Sequence, residues 1–130
     1  MIPFAIAGLQ LEVSNRADNM PHLRERLDHL MAVFPWVQMV VFSELAAVGS
    51  VPSRAQPLPG ELERAFQAMA ARHGIWMVTG SVYEERSNGV YNTASVIDPE
   101  GRIIGRYRKM FPFRPYEEGI EAGTEFLVFD

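Results

Sequence analysis

The sequence predicts an α/β fold whose mixed sheet starts parallel and continues as an antiparallel meander. Three patterns support this prediction: an apolar strand, a helix and a second apolar strand within the first 45 residues, another helix before a third strand, and two tight-turn signals after residue 87. A strand–helix–strand unit crosses over in a right-handed sense, which makes its two strands parallel. Tight turns instead join neighbouring antiparallel strands.

The first strand, helix and second strand can be placed from their apolar patterns. Residues 2–13 alternate with apolar residues on both faces, as in a strand covered on both sides. Ser14 and Asn15 are expected to cap the helix that follows, and Pro35 is expected to end it. A buried strand over 37–43 completes the crossover unit.

A loop and a second helix come next. Residues 46–60 contain three prolines and two glycines, which predicts a long irregular loop at the carboxyl end of a parallel strand. A second helix is predicted over about 61–73. Gly74 is expected to end that helix, because glycine adopts the left-handed conformation at little cost.

The remainder of the chain is predicted to be a meander. Residues 75–83 are expected to form one apolar strand. It is the first of three consecutive strands over 75–107, joined by an Asn-Gly hairpin turn at 88–89 and by a type I turn at 98–101. A loop with prolines and glycines is expected over 110–124. The apolar run Phe126-Leu127-Val128-Phe129 is predicted to begin another strand.

Composition excludes several classes of protein. The chain has 130 residues, 48% of them hydrophobic, a net charge of −4 and an isoelectric point near 5.4. That size suits one domain with a real core, and the acidic balance argues against nucleic acid as a partner. No cysteine is present, so neither disulfides nor a thiolate metal site can form. No apolar run reaches the length of a membrane span, and no basic leader is seen, so a cytoplasmic protein is expected.

Two charged residues stand where chemistry is expected. Glu44 ends the apolar strand Met39–Glu44, and Lys109 ends the extended stretch 105–109. Open α/β sheets bind ligands at the carboxyl ends of their strands, so these side chains are expected to converge there, with Glu44 buried. The alternative is a solvated strand-end carboxylate and an ordinary basic surface strand.

Five stretches of this sequence, in this order, resemble the nitrilase, or carbon-nitrogen hydrolase, superfamily. They are Ala7-Gly8-Leu9-Gln10, Val40-Val41-Phe42-Ser43-Glu44-Leu45, Gly80-Ser81, Tyr91-Asn92-Thr93-Ala94 and Gly105-Arg106-Tyr107-Arg108-Lys109. The resemblance covers essentially the whole chain. Two departures are Ser43, where most members have proline, and Gly49-Ser50, where Gly-Tyr is common. The second departure bears on the substrate pocket.

The resemblance implies a Glu-Lys-Cys mechanism that needs no cofactor. Glu44 would be the general base, and Lys109 would supply positive charge beside the oxyanion. Glu117, with Glu118 as the alternative, would orient the lysine and the substrate. The nucleophilic cysteine would follow the strand that begins near Glu125. Residues 1–130 therefore resemble the N-terminal portion of a single domain, truncated before the nucleophile strand, and thus half of a four-layer α-β-β-α sandwich.

The expected function is hydrolysis of a small amide, nitrile or N-carbamoyl compound, with the fragment alone inactive. The alternative is a non-catalytic, truncated or degenerate domain that binds a partner or a small ligand. The resemblance also implies a homo-oligomer or a chain that lacks its C-terminal half.

Other residues near the expected site are given structural roles. Tyr91-Asn92-Thr93 is expected to support the lysine strand through cross-strand contacts, without a catalytic role. Aromatic residues at this density are more often core than pocket lining, so Phe111, Phe113, Tyr116 and Trp76 are expected in the core.

Overall fold

Two α-helices pack on one face of a mixed sheet in the computed structural model, which describes residues 2–130. Within those residues the sheet has seven strands. The elements in chain order are β1 (Ile6–Leu9), α1 (Met20–Val33), β2 (Met39–Phe42), α2 (Glu61–His73), β3 (Trp76–Val78), β4 (Val82–Arg86), β5 (Gly89–Ile97), β6 (Ile103–Arg108) and β7 (Ile120–Glu121), with a 3-10 turn at Pro52–Arg54.

The sheet is mixed in the way that the sequence predicts. Strands β1, β2 and β3 are parallel neighbours. Strand β5 is antiparallel to β3, β4 and β6. Since β6 and β3 both run opposite to β5, β6 points the same way as β2, and the carboxyl ends of β2 and β6 lie at one edge of the sheet. The short strand β7 pairs with β5 in parallel.

The prediction of one strand over 75–83 is wrong, because this segment forms two strands. Strand β3 ends at Val78 and β4 begins at Val82, and both pair with the same strand, β5. The chain bends between them at Gly80, which has φ of +79°. A β-carbon at Gly80 would overlap the carbonyl oxygen of Ser43. Only glycine allows both this conformation and this contact.

The first helix starts later than predicted. Helix α1 begins at Met20, and Asn19 precedes it as the cap residue. Ser14 does not cap it, because its hydroxyl accepts hydrogen bonds from the Arg16 and Ala17 amides, 3.1 Å each. The side chain of Asn15 accepts one from Ser50 N at 2.9 Å. Ser14 therefore stabilises the turn before α1, and Asn15 binds the loop that contains Ser50. Strand β1 is also shorter than the predicted strand over 2–13.

The core lies between the helices and one face of the sheet. Apolar side chains of both helices pack against strand residues on this face and form one hydrophobic cluster. Its buried members are Met20, Leu23, Leu27, Val37, Val40, Phe42, Ala46, Ala47, Phe66, Met69, Ala70, Ile75, Met77, Val82 and Ile97. Alternate strand residues point to the opposite face, where Ile6 is 61% exposed. One helical layer and one sheet layer are thus present, as in half of a four-layer sandwich.

Residues 126–129 do not form the predicted strand. The segment instead crosses the sheet face opposite the helices. The side chain of Leu127 lies over Gly105, and the Phe129 ring stacks on Trp76 with centroids 5.8 Å apart. The other two apolar residues of the segment, Phe126 and Val128, are exposed. No helix within residues 2–130 combines the length and apolarity that crossing a bilayer requires.

Candidate active site

Three charged side chains meet at the carboxyl ends of β2 and β6. The Lys109 ammonium donates to Glu44 Oε1 at 2.7 Å and to Glu117 Oε2 at 2.6 Å. Glu44 lies two residues after β2, and Lys109 directly follows β6. The predicted convergence of the two strand ends is therefore present, although 65 residues separate Glu44 from Lys109.

Glu44 is more open than its sequence context predicts. Its side chain is 55% exposed, so the expectation of burial is wrong. The apolar run ends at Phe42, and the chain turns at Ser43, which carries the Glu44 side chain past the edge of the sheet. The carboxylate therefore faces an open cleft in this chain.

The residue after Glu44 holds the turn in an unusual conformation. Leu45 has φ of +54°, and it is the one non-glycine residue with positive φ among residues 2–130. Its amide donates to Ser81 Oγ at 3.0 Å, and its side chain is buried. Such backbone strain costs of order 1–3 kcal/mol and is found often at functional sites. Here it fixes the direction in which Glu44 leaves the strand.

Glu117, and not Glu118, contacts the lysine. Glu117 is 5% exposed, whereas Glu118 is exposed. Its Oε2 accepts from Lys109 and from the Phe113 amide, both at 2.6 Å. Burial raises the pKa of Glu117, but these bonds and one from Asn92 outweigh burial and leave the pKa below its usual range.

The loop after β6 is folded back onto its own lysine. Its ends meet where Gly123 N donates to Lys109 O at 2.9 Å. Inside the loop the Arg114 guanidinium donates to the carbonyl oxygens of Glu117 and Ile120. These bonds keep Glu117 next to Lys109.

Asn92 is the member of the site that the sequence reasoning missed. Its side-chain amide donates to Glu44 Oε1 and to Glu117 Oε1, each at 2.8 Å. Its carbonyl oxygen accepts from Lys109 N at 2.8 Å. The sequence did carry a signal for Asn92, since Tyr91-Asn92-Thr93 lies in one of the stretches that resemble the family. From the sequence, that stretch predicts only cross-strand support for the lysine strand.

The lysine is held as a cation. Partial burial lowers the pKa of Lys109, but the hydrogen bonds and charges of Glu117 and Glu44 outweigh burial and raise it above its usual range. The three charges sum to −1. The two basic residues of β6 itself point away from the site: Arg106 pairs with Glu63 and Arg108 with Glu84.

A cleft of about 320 Å³ opens over the charged cluster. It is lined by Val13, Asn15, Glu44, Leu45, Ser50, Lys109, Phe113, Tyr116 and Glu117. The rings of Phe113 and Tyr116 stack with centroids 5.3 Å apart and form one wall. Phe113 and Tyr116, like Phe111, are mostly exposed, so their expected place in the core is wrong. Trp76 is partly exposed and packs against Phe129.

A second cleft, of about 240 Å³, reaches the same pair of charges from the sheet face opposite the helices. It is lined by Glu44, Gly80, Ser81, Asn92, Ala94, Tyr107 and Lys109. Glu44 and Lys109 therefore stand between two openings. Among residues 2–130, no group of three or more side chains of His, Cys, Asp or Glu is arranged to hold a metal ion.

The chemical capacity of the cluster follows from its charges. A carboxylate with a free oxygen can accept a proton, and an ammonium beside it can stabilise a developing oxyanion. Acyl transfer additionally needs a nucleophile. The 130 residues contain no cysteine to supply a thiol.

Comparison with known proteins gives a consistent result. The family model for carbon-nitrogen hydrolases matches residues 5–128. The omega-amidase NIT2 of Danio rerio is 31% identical over 118 residues, which are 87% of this chain and 42% of the relative. The omega-amidase NIT2 of Homo sapiens is 27% identical over 144 residues, covering all of this chain and 51% of the relative. The chain thus spans about half the length of these curated relatives.

Solved structures share the fold. The carbon-nitrogen hydrolase from Helicobacter pylori G27 superposes with a TM-score of 0.79 at 22% identity, over 93% of this chain and 45% of that one. An amidase from Nesterenkonia sp. gives a TM-score of 0.78 at 19% identity, over 94% and 49%. With the family match across nearly all of its residues, the chain belongs to the carbon-nitrogen hydrolase family.

Proposed function

We propose that this chain carries the general base and the lysine of an enzyme that hydrolyses the C–N bond of a small amide, nitrile or N-carbamoyl compound. The observation that carries this proposal is the Lys109 ammonium held between Glu44 and Glu117, within 2.7 Å of each. The family membership and the omega-amidases among its relatives support the same reaction class.

The oxygen atoms of the two glutamates suggest different roles. Both oxygens of Glu117 accept hydrogen bonds, from Asn92 on Oε1 and from Lys109 and the Phe113 amide on Oε2. A carboxylate that is buried and saturated in this way is a poor proton acceptor. Glu44 is half exposed and borders both clefts, so we assign it as the base.

The proposed reaction on an amide has two halves. In the first, Glu44 takes the proton of a cysteine thiol, and the thiolate attacks the carbonyl carbon while Lys109 stabilises the oxyanion. The C–N bond then breaks, the nitrogen leaves as ammonia with the proton from Glu44, and a thioester remains. In the second half, water gives its proton to Glu44 and attacks the thioester, which releases the acid and restores the thiol.

We further propose that the thiol comes from outside these 130 residues. Two facts support this proposal, and with it the proposal that the chain is the N-terminal portion of one domain: the chain lacks cysteine, and it spans about half the length of its curated relatives. The cleft beside Gly80 and Ala94 offers an approach to Glu44 and Lys109 from the sheet face that the helices leave uncovered. The cleft beside Phe113 and Tyr116 would then receive the substrate.

Ammonia release tests this proposal, because primary amides, nitriles and N-carbamoyl compounds all yield ammonia. The protein in its natural length should hydrolyse members of a panel of small primary amides, nitriles and N-carbamoyl compounds. Replacement Glu44→Gln should lower kcat at least about 100-fold, the usual effect of losing a positioned base. The exposed Glu12 gives a matched control, since Glu12→Gln removes a carboxylate that lines neither cleft. Equal rates in both variants would contradict the role of Glu44.

The 130-residue chain on its own should release ammonia no faster than buffer. Turnover by this chain that disappears in Glu44→Gln would show that no external thiol is needed. A natural-length protein that hydrolyses nothing in the panel would favour a second candidate function. In that case the domain would bind a partner through its uncovered apolar sheet face, where Ile6 is 61% exposed, without catalysis.

A further inference from the structure

Asn92 occupies the centre of the charged cluster. Its side-chain nitrogen has two hydrogens, and each is directed to a different carboxylate, Glu44 and Glu117, at 2.8 Å. The residue is 3% exposed, so water does not offer these hydrogens an alternative acceptor. The backbone of Asn92 also binds Lys109, through the bond from Lys109 N to its carbonyl oxygen at 2.8 Å.

The bonds are distributed unequally over the four carboxylate oxygens. Glu44 Oε1 accepts from both Lys109 and Asn92. Glu117 accepts on both oxygens. Within residues 2–130 no hydrogen-bond donor reaches Glu44 Oε2. One carboxylate oxygen of the cluster is therefore left with its lone pairs uncommitted.

We propose that Asn92 is a positioning residue that binds one oxygen of Glu44 and so presents the other, Oε2, to the reacting proton. The part that concerns proton transfer rests on the proposed function. The part that concerns geometry does not: Asn92 holds two carboxylates against one ammonium and sets the orientation of both.

An asparagine suits this position for a physical reason. Two carboxylates that share one ammonium repel each other, and a neutral group with two donors relieves this repulsion without adding charge. An aspartate would offer no donor when ionised. A lysine or arginine would compete with Lys109 for the same oxygens. The other cation of the loop, Arg114, binds the carbonyl oxygen of Glu117 and leaves its carboxylate to Asn92 and Lys109.

The test is a side-chain titration of the protein by carbon-13 NMR, which needs no turnover. Asn92→Leu keeps the shape of the side chain and removes both donors, and Asn92→Ala removes the whole group. Without a donor on Oε1, the acid dissociation constant of Glu117 should fall about tenfold, so that it takes up a proton at higher pH. Lys109 should lose its proton more readily, because Glu44 is no longer held against it.

Gln67→Ala is the matched control. It also removes a side-chain amide and one hydrogen bond, from Gln67 Nε2 to Gly101 O at 2.7 Å, but on α2 and away from the cluster. Glu117 and Lys109 should titrate in this variant as in the parent. The proposal is overturned if they also titrate as in the parent in both Asn92 variants. It is equally overturned if both Asn92 variants fail to fold, since Asn92 would then be required by the core. An inactive natural-length protein would refute the proposed function but leave these titrations as evidence on Asn92.

Discussion

At the scale of single residues, two buried glutamates other than Glu117 connect β6 to β4 and to α2. Glu84 is 1% exposed and accepts a two-pronged hydrogen bond from the Arg108 guanidinium, at 2.7 and 2.8 Å, and a third bond from the Thr93 hydroxyl. Glu63 on α2 is bound in the same way by Arg106 on β6. These pairs satisfy four charges on the helix side of the sheet, so Lys109, directly after β6, is the next cation along the chain and the one that faces the site.

Breaking one of these pairs should be costly. Glu84→Gln leaves the Arg108 guanidinium without its counter-ion, and the loss of one partner of a buried pair costs about 3 kcal/mol, the low end of the usual range because Arg108 is partly exposed. Urea denaturation measures the effect. The next residue gives a matched control: Glu85→Gln replaces an exposed glutamate of the same strand and should change the unfolding free energy little. Equal stability of the two variants would contradict the importance of the pair.

How far single residues could be predicted depends on what determines them. Glu44 and Lys109 could be chosen because each ends a strand and each matches a family stretch. The role of Asn92 could not, since its two bonds depend on the pairing register of β5 and β6 and on a loop that returns from residue 117. The exposure of Glu44 was mispredicted because the apolar run extends only to Phe42, and the strained turn at Leu45 is not visible in composition.

At the scale of elements, the break between β3 and β4 helps to position the sheet edge that carries Glu44. Gly80 sits directly against the carbonyl group of Ser43, the residue that precedes Glu44. The next residue, Ser81, accepts the hydrogen bond from the Leu45 amide. The bend therefore contacts the chain on both sides of Glu44.

Replacing this glycine should disturb both stability and the site. Gly80→Ala places a β-carbon on the Ser43 carbonyl and forces an L-residue into φ of +79°, which should cost more than the roughly 1 kcal/mol of a left-handed alanine alone. Gly8→Ala is the control, because no atom lies within 4 Å of its β-carbon position. Thermal unfolding and the NMR shifts of Glu44 should change in the first variant alone. A Gly80→Ala protein that matches Gly8→Ala would show that the contact is unimportant.

Element prediction succeeded where a local signal was strong. The Asn-Gly turn at 88–89 and the turn at 98–101 join β4 to β5 and β5 to β6, as expected from turn chemistry. Helix α2 has the predicted bounds, and its end at Gly74 has φ of +62°. The prediction of a strand over 126–129 was wrong because a continuous apolar run can pack on a flat apolar surface without pairing with a strand. Here that surface is the face that carries Gly105 and Trp76, and the segment lies across it rather than beside a strand.

At the scale of the whole molecule, the titration of its charged network should govern stability against pH. Burial raises the pKa values of Glu63, Glu84 and Glu117, but the hydrogen bonds they accept outweigh burial and lower all three. As the pH falls below about 5, these glutamates take up protons in the unfolded chain while they are still ionised in the folded one. The unfolded chain then binds more protons than the folded one. Stability should therefore be full above about pH 5 and fall as the pH drops through the folded values.

At alkaline pH the stability should fall as the pH rises, the reverse of the acid side. The pKa of Lys109 is raised on balance, so its contribution is present below the unfolded value and is lost as the pH rises past the folded one. Urea midpoints from pH 3 to pH 11 should thus show a plateau with losses on both sides. The Glu85→Gln variant should follow the same curve, whereas Glu84→Gln should lose less between pH 5 and pH 3 than the parent does. A parent curve that is flat down to pH 3 would contradict this.

The uncovered face of the sheet should also control association. Ile6, Phe126 and Val128 are 61%, 82% and 87% exposed, and Ile104 is 41% exposed. Exposed apolar patches drive association, so the 130-residue chain is expected to form dimers or larger species through this face. Ile6→Lys should shift sedimentation toward monomer. Val33→Lys, at a comparably exposed apolar residue that ends α1, should not. A monodisperse monomeric parent would rule out the association.

The loop that closes on its own lysine has a consequence for which of its side chains can vary. The bond between Gly123 N and Lys109 O joins the two ends of the loop at the last residue of the lysine strand. The stacked side chains of Phe113 and Tyr116 lie on the solvent-exposed side of this loop, whereas the side chain of Glu117 is buried. Solvent-exposed side chains of this loop can therefore be replaced without moving β6. Substitutions of the two aromatic side chains should therefore reshape the wall of the cleft, while the backbone of the loop, which binds Glu117 through the Phe113 amide, stays in place.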